Sequence, residues 1–202
     1  MNKGELRVHF KDLLNRSDIT DTLADTFVDQ SISRIQRTLR IPSMEKQHVY
    51  NISASTSLLV IPNDFLEIID IYSGTTSLTR VPINELLEFS SGGESGTPRH
   101  FAREDETLLI YPNPTSGSVK LNYYAQFAEM TSDTDENALA LSSSDLIIYG
   151  ALGYASDHFL DERGPLFEQK YQVFLQEIQE QAYTAEQSGT VQAIRPTYAY
   201  ED

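Results

Sequence analysis

Cysteine is absent from the 202-residue chain, which removes disulfides, thiolate nucleophiles and thiolate zinc sites together. Stability has to come from packing and, where copies meet, from assembly. Long apolar runs are missing as well. None approaches the ~20 residues that a membrane-spanning helix needs, and MNKGELRVHF leads straight into charged amphipathic sequence with no signal-peptide core. The expectation is a protein that is cytosolic where it is made. Positive charge is scarce, with 15 Lys and Arg against 30 Asp and Glu. Residues 1–46 carry 8 basic and 7 acidic side chains, residues 47–125 carry 4 and 9, and residues 126–202 carry 3 and 14. Gripping DNA requires Lys and Arg to neutralise phosphates, so the last third is unsuited to that role and repels any DNA it meets.

Catalytic signatures are missing too. The four histidines, His9, His48, His100 and His158, lie far apart and form no HxxxH or HExxH pair. No GxSxG elbow occurs. SSGGESGTP is glycine-rich but lacks the lysine of a phosphate-binding loop and leads into no clear helix, so it reads as an exposed, mobile loop. The stretch LLVIPNDFLEIIDIY sets Asp64, Glu67 and Asp70 among apolar neighbours. Catalytic carboxylates must converge on one substrate with separated pKa values, and nothing nearby supplies a convergent polar pocket. Asp64 follows Pro62 and Asn63 in a turn, where its side chain can bond the backbone. Strand alternation puts Glu67 with Ile69 and Ile71, and Ile68 with Asp70, a pattern that leaves the buried face open. No enzyme activity, cofactor or metal is expected.

What is present divides into helix, strand and helix. Leu6, Phe10, Leu13 and Leu14 fit one face of a short helix. Val28, Ile32, Ile35 and Leu39, flanked by Leu23 and Phe27, fit a longer one with Thr20 as N-cap, Asp21 in the first turn and Pro42 as the stop. Arg34, Arg37 and Arg40 follow near its C-terminal end, either as a solvated complement to the helix dipole or as a subunit contact with an acidic neighbour. From residue 47 the grammar turns to strands: HVYNIS, SLLVIP, EIIDIYS, TRVPI, ETLLIYP and SVKLNYYAQ, separated by GTTS, SSGGESGTP and PNPTSG. These make a small antiparallel sheet or barrel. Helical period returns in SDLIIYGALGYASDHFLD, capped at Ser143 or Ser144, where Gly150, Gly153, Ala151 and Ala155 suit close helix approach. Gly164 and Pro165 separate it from a second helix with Phe167, Tyr171, Phe174, Leu175, Ile178 and Ala182 on one core-facing stripe. GTVQAIRPTYAYED has no helical period and reads as an arm.

The order and spacing of RIQRTLRIP, PNDFLE, PRHF, LLIYPNP, LNYYAQF and LIIYGALGYASDHFLDERG, over about residues 5 to 187, resembles the head-to-tail adaptor proteins of tailed bacteriophages. The likeness is to the group akin to the podoviral tail tubular protein A, or gatekeeper, family. The resemblance implies an α+β fold: a helical bundle from the N- and C-terminal helices (1–46 and 129–188), an inserted β-rich lobe (47–128) and an extended C-terminal arm (189–202). It also implies a ring of twelve copies in the virion neck, assembled in the host cytoplasm, docked under the portal protein, receiving a tail or nozzle protein and passing genomic DNA without tight binding. The arm would be disordered in free protein and ordered against the portal or an adjacent copy. Val191, Ile194, Tyr198 and Tyr200 would serve as its apolar anchors and Arg195 as its partner for a carboxylate. The alternatives are a non-viral assembly or binding module of the same construction and, behind it, a hydrolase acting through Asp64 and Glu67.

Overall fold

The computed structural model describes residues 1–52 and 58–187. The arm and its anchors therefore lie outside the described residues. The described residues form two units, one of Met1–Ile41 with Ser132–Glu136 and residues 140–187, the other of Pro42–Thr131 with Asn137–Leu139.

The first unit is helical, and its helix starts are written locally. At the head of α1 (Lys3–Leu14), Asn2 accepts the Glu5 backbone N–H at 2.8 Å and the Glu5 carboxylate accepts the Asn2 N–H at 3.0 Å, a reciprocal box that satisfies two orphan donors. Thr20 Oγ1 accepts the Leu23 N–H at 3.2 Å to start α2 (Asp21–Thr38). That helix stops where Leu39 turns extended (φ -82, ψ 134), ahead of Pro42. Its inner stripe is Ala24, Phe27, Val28, Ile32 and Ile35, each contributing on the order of 1–3 kcal/mol by leaving water. After the short α4 (Ala138–Ser142), α5 (Ser144–Phe159) is buried along Leu146, Ile147, Ile148, Ala151, Leu152 and Ala155, as a helix with neighbours on several sides must be. It packs against α1, α2 and α6 (Gly164–Gln187).

Of the two glycines in α5, only Gly150 is demanded by packing. A Cβ there would overlap Ser31 Oγ of α2, which donates to the Ile147 carbonyl at 2.8 Å, and would sit 3.2 Å from the Tyr171 ring of α6. Gly153 has Glu168 Oε2 as its nearest foreign atom, at 3.8 Å.

The end of α5 differs from the expectation placed on Gly164. The left-handed residue is Leu160 (φ 53), 90% exposed, and Gly164 instead opens α6. Local hydrogen bonds explain how the loop reverses so soon. The Asp161 carboxylate accepts the Arg163 N–H at 2.9 Å and its guanidinium at 2.7 Å, while the same guanidinium donates to the Leu14 carbonyl at the end of α1 at 2.8 Å. The guanidinium first and the backbone N–H second hold the Asp161 carboxyl at about 2, below its ordinary 3.8. A depressed folded value contributes stability that is complete above the ordinary value and lost as pH falls through the folded one. Asp161→Asn is expected to flatten the stability curve between pH 3.8 and about 2, read from urea midpoints at successive pH values. An acid limb as steep as wild type would show that the loop is not coupled to folding.

The second unit is a two-sheet sandwich, not one sheet or a barrel. β1 (Glu45–Ile52), β8 (Gly117–Ala125), β3 (Phe65–Ser73) and β4 (Thr76–Ser77) form one sheet in that spatial order. β2 (Leu58–Val60), β7 (Thr107–Tyr111), β6 (His100–Glu104) and β5 (Thr79–Arg80) form the other. Ile52, Ile71, Val119, Leu121 and Tyr123 from the first meet Leu59, Phe101, Leu108 and Ile110 from the second in one core.

The expected all-antiparallel pairing fails at β5 and β6, which run parallel. A parallel pair needs a crossover, and residues 81–99 supply one containing α3 (Ile83–Ser90), whose residues 84–89 the sequence pattern assigns to no element, between the strand TRVPI and the loop SSGGESGTP. α3 covers the back of its sheet, with Leu86 against Ala102 and Tyr111. The following SSGGESGTP segment is exposed, as expected, except for half-buried Gly96 and buried Pro98. Its backbone is nonetheless held: Gly96 donates to the Asn113 carbonyl at 2.9 Å and Asn113 donates to the Glu94 carbonyl at 3.2 Å.

Candidate interaction surfaces

The arginine series on α2 is divided by its surroundings. Arg34 makes a fork to Glu168 of α6, at 2.9 and 2.6 Å, and lies 4.1 Å over the Tyr171 ring. The hydrogen bond from Arg34 pulls the Glu168 carboxyl below its ordinary value against a weaker effect of burial. Arg40 turns back to the Gln36 and Leu39 carbonyls at 2.9 and 2.7 Å, serving the end of its own helix. Arg37 is exposed. At the other end of the unit Arg7 joins α1 to α2 and to the 132–136 segment, with Nε 2.6 Å from Asp25 and one amino group 2.5 Å from Asp133. Those hydrogen bonds raise its pKa further above the ordinary arginine value.

The stripe on α6 is core for half its length. Phe167 and Tyr171 are buried, whereas Phe174, Leu175, Ile178 and Ala182 are half-buried and Tyr183 is 64% exposed. Helix length supplies the reason. α6 has 24 residues and α5 has 16, so at about 1.5 Å per residue α6 is the longer by roughly 12 Å. Tyr149 of α5 packs on both Phe167 and Phe174, with ring centroids 6.3 and 5.5 Å away, and the distal turns run on beyond that contact.

Asp64, Glu67 and Asp70 have separate employments. Asp64 accepts the Tyr123 hydroxyl at 2.9 Å and Lys46 Nζ at 2.7 Å, while its carbonyl accepts the Gln126 N–H at 2.7 Å. Burial alone would raise its carboxyl, but the two side-chain donors outweigh it and the value is lowered. Burial and then the bond to Asp64 push the Tyr123 phenol up to about 12. A carboxylate held this way secures strand ends, the reverse of a general acid kept protonated near neutrality. Glu67 and Asp70 are both exposed, which simple alternation forbids. β3 shifts register against β8 between Phe65 and Glu67 and again between Ile68 and Asp70. The bulges let Ile68 pack against the sandwich core and Ile71 enter it while both acids stay outside.

His9 lies on α1, His48 on β1 against Tyr50, His100 on β6 against Phe89, and His158 on α5 against Phe27 and Phe159. Among the described residues no group of three or more His, Asp or Glu side chains could hold a metal ion, and no helix is long and apolar enough to cross a membrane. Val49, Leu58 and Val60 on the edge strands β1 and β2 and Leu87 and Phe89 on α3 are exposed apolar side chains that the sequence reading did not single out. In LLV, the alternation about buried Leu59 is the signal that could have found the first edge.

No curated protein matches the chain. A family model does, that of the SU10 adaptor protein, over residues 1–195, which takes in both units and the first part of the arm. The order of helices and strands that resembles phage head-to-tail adaptors is thus matched along nearly the whole sequence, and the chain belongs to the SU10 adaptor protein family of phage adaptors.

Proposed function

We propose that the protein is a ring-forming component of the virion neck, twelve copies docking under the portal protein, receiving the tail or nozzle protein and continuing the DNA channel. The family match over residues 1–195 carries this reading. The charge supports it: with 3 basic against 14 acidic side chains in residues 126–202, a channel wall built from this part lets DNA slide, its repulsion screened over about 8 Å at physiological salt. Arg37 is the exposed member of the Arg34, Arg37 and Arg40 series and is placed to meet a neighbour's carboxylate, Arg34 being engaged with Glu168. Val191, Ile194, Arg195, Tyr198 and Tyr200, outside the described residues, are the anchors of the arm against the portal or an adjacent copy. A net charge of -15 opposes self-association until a complementary surface offsets it. Sedimentation at moderate salt is therefore expected to show monomer alone and a ring in the presence of portal. A stable ring without portal overturns portal-templated assembly, and no ring with portal overturns the reading itself.

A further inference from the structure

On the α3 side of the second sheet a groove of about 550 Å³ is lined by Phe89, Glu94, Arg99, His100, Tyr111 and Pro112. Three of its groups lack what they would ordinarily have. Phe89 is 41% exposed although its ring lies 5.4 Å from that of His100. His100 Nδ1 is buried without a hydrogen-bond partner, a state that a buried polar atom ordinarily avoids. The Arg99 side chain is exposed and makes no ion pair with any described residue, a state it shares with Arg37, Arg80 and Arg103, but of these four it alone lines the groove. An unpaired guanidinium beside an exposed aromatic ring, in a chain with 30 acidic side chains, fits an occupant that brings its own ring and carboxylate.

One segment of this chain has that composition. TYAYED, residues 197–202, carries Tyr198 and Tyr200 at alternate positions followed by Glu201 and Asp202. We propose that the groove receives residues 197–202 of a second copy, the tyrosines against Phe89 and Tyr111 and the carboxylates against Arg99. Glu94 at the groove disfavours an occupant whose acids lie on its side, which orients the segment toward Arg99. The proposal deepens the ring reading and rests on it. Between free copies the contact is weak, because each carries a charge of -15. Seating on a portal raises the effective concentration of neighbouring arms toward the millimolar range, and the same contact then closes the ring.

The cysteine-free background permits a direct test with full-length chains. Thr97→Cys places a thiol at the groove and Ala199→Cys places one between the tyrosines. The two variants are mixed without portal and oxidised gently, and their mixed disulfide is followed on a non-reducing gel. It should form about tenfold faster than the mixed disulfide between Ala199→Cys and Leu160→Cys, the latter a freely exposed control. Arg99→Glu in the groove chain should remove that advantage, and Glu201→Arg with Asp202→Arg in the arm chain should restore it. A rate no faster than the Leu160 control, or one indifferent to Arg99→Glu, overturns the proposal. The readout needs no portal, so loss of cross-linking while rings still form on portal refutes the groove alone. Cross-linking with no rings on portal refutes the ring reading alone.

Discussion

Replacing Gly150 by leucine is expected to destabilise the helical unit by about 3 kcal/mol, the upper range for forcing methylenes into a filled core. In a protein of this size that lowers the melting temperature by roughly 6–12 °C. The cost begins at the first added atom. A Cβ at Gly150 already overlaps Ser31 Oγ and crowds the Tyr171 ring, and Ser31 cannot retreat without leaving the Ile147 carbonyl to which it donates. Tyr171 is 1% exposed and lies under Arg34, so the ring has nowhere to swing. The control is one turn along the same helix. Gly153→Ala meets its nearest foreign atom at 3.8 Å and gains helix propensity of up to about 1 kcal/mol. Calorimetry of the two variants should therefore give shifts of opposite sign. Equal losses would mean that glycine is needed for backbone conformation and not for close approach.

Deleting residues 190–202 should leave the melting temperature within about 2 °C of wild type, since a free chain end with few apolar residues and a helix-breaking Pro196 has little to contribute to the core. The same deletion should weaken attachment to portal-bearing heads by tenfold or more, because it removes two tyrosines, two aliphatic anchors and an arginine, the side chains in which binding energy concentrates. Val191, Ile194 and Arg195 fall within the family match and Tyr198 and Tyr200 beyond it. A shorter deletion of residues 197–202 should then keep part of the attachment. Co-sedimentation with heads, read against added salt, separates the cases. A truncated protein that docks as tightly as the full chain would reduce the arm to a passive tail.

Helix positions and caps were legible in the sequence because they are local. Thr20 caps α2 where its spacing to the first apolar turn says it should, and the inner stripe from Phe27 to Leu39 is the one the period marks. The α+β class and the family likeness were legible for the same reason, being carried by the order of such segments. Three features were not. α3 is only eight residues long and begins beside Pro82, so INELLEFS offered too few turns to compete with the strands on either side. The bulges in β3 depend on its pairing with β8, which lies some fifty residues away, and two bulges scramble the alternation by which a strand is read. Asp64 sits in the turn that the sequence marks, but the partners of its carboxylate, Lys46 and Tyr123, come from strands distant in the chain. At the groove by Phe89 and Arg99 a helix, a strand and a loop held to Asn113 meet, and no short motif announces it.

The helical unit is assembled from lengths of chain made before and after the sandwich strands, and this sets a timetable for its birth on the ribosome. α1 and α2 are the first helices made, yet their apolar faces find α5 only after residues 144–159 have emerged, more than a hundred residues later. At about 5–20 residues per second, that wait lasts on the order of 5–20 s. The sandwich strands lie consecutively inside the interval and need nothing made after residue 125 to complete their two sheets. Chaperones therefore meet a nascent chain whose middle can fold while its beginning still awaits the α5 surface that covers Leu6, Phe10, Phe27 and Ile35.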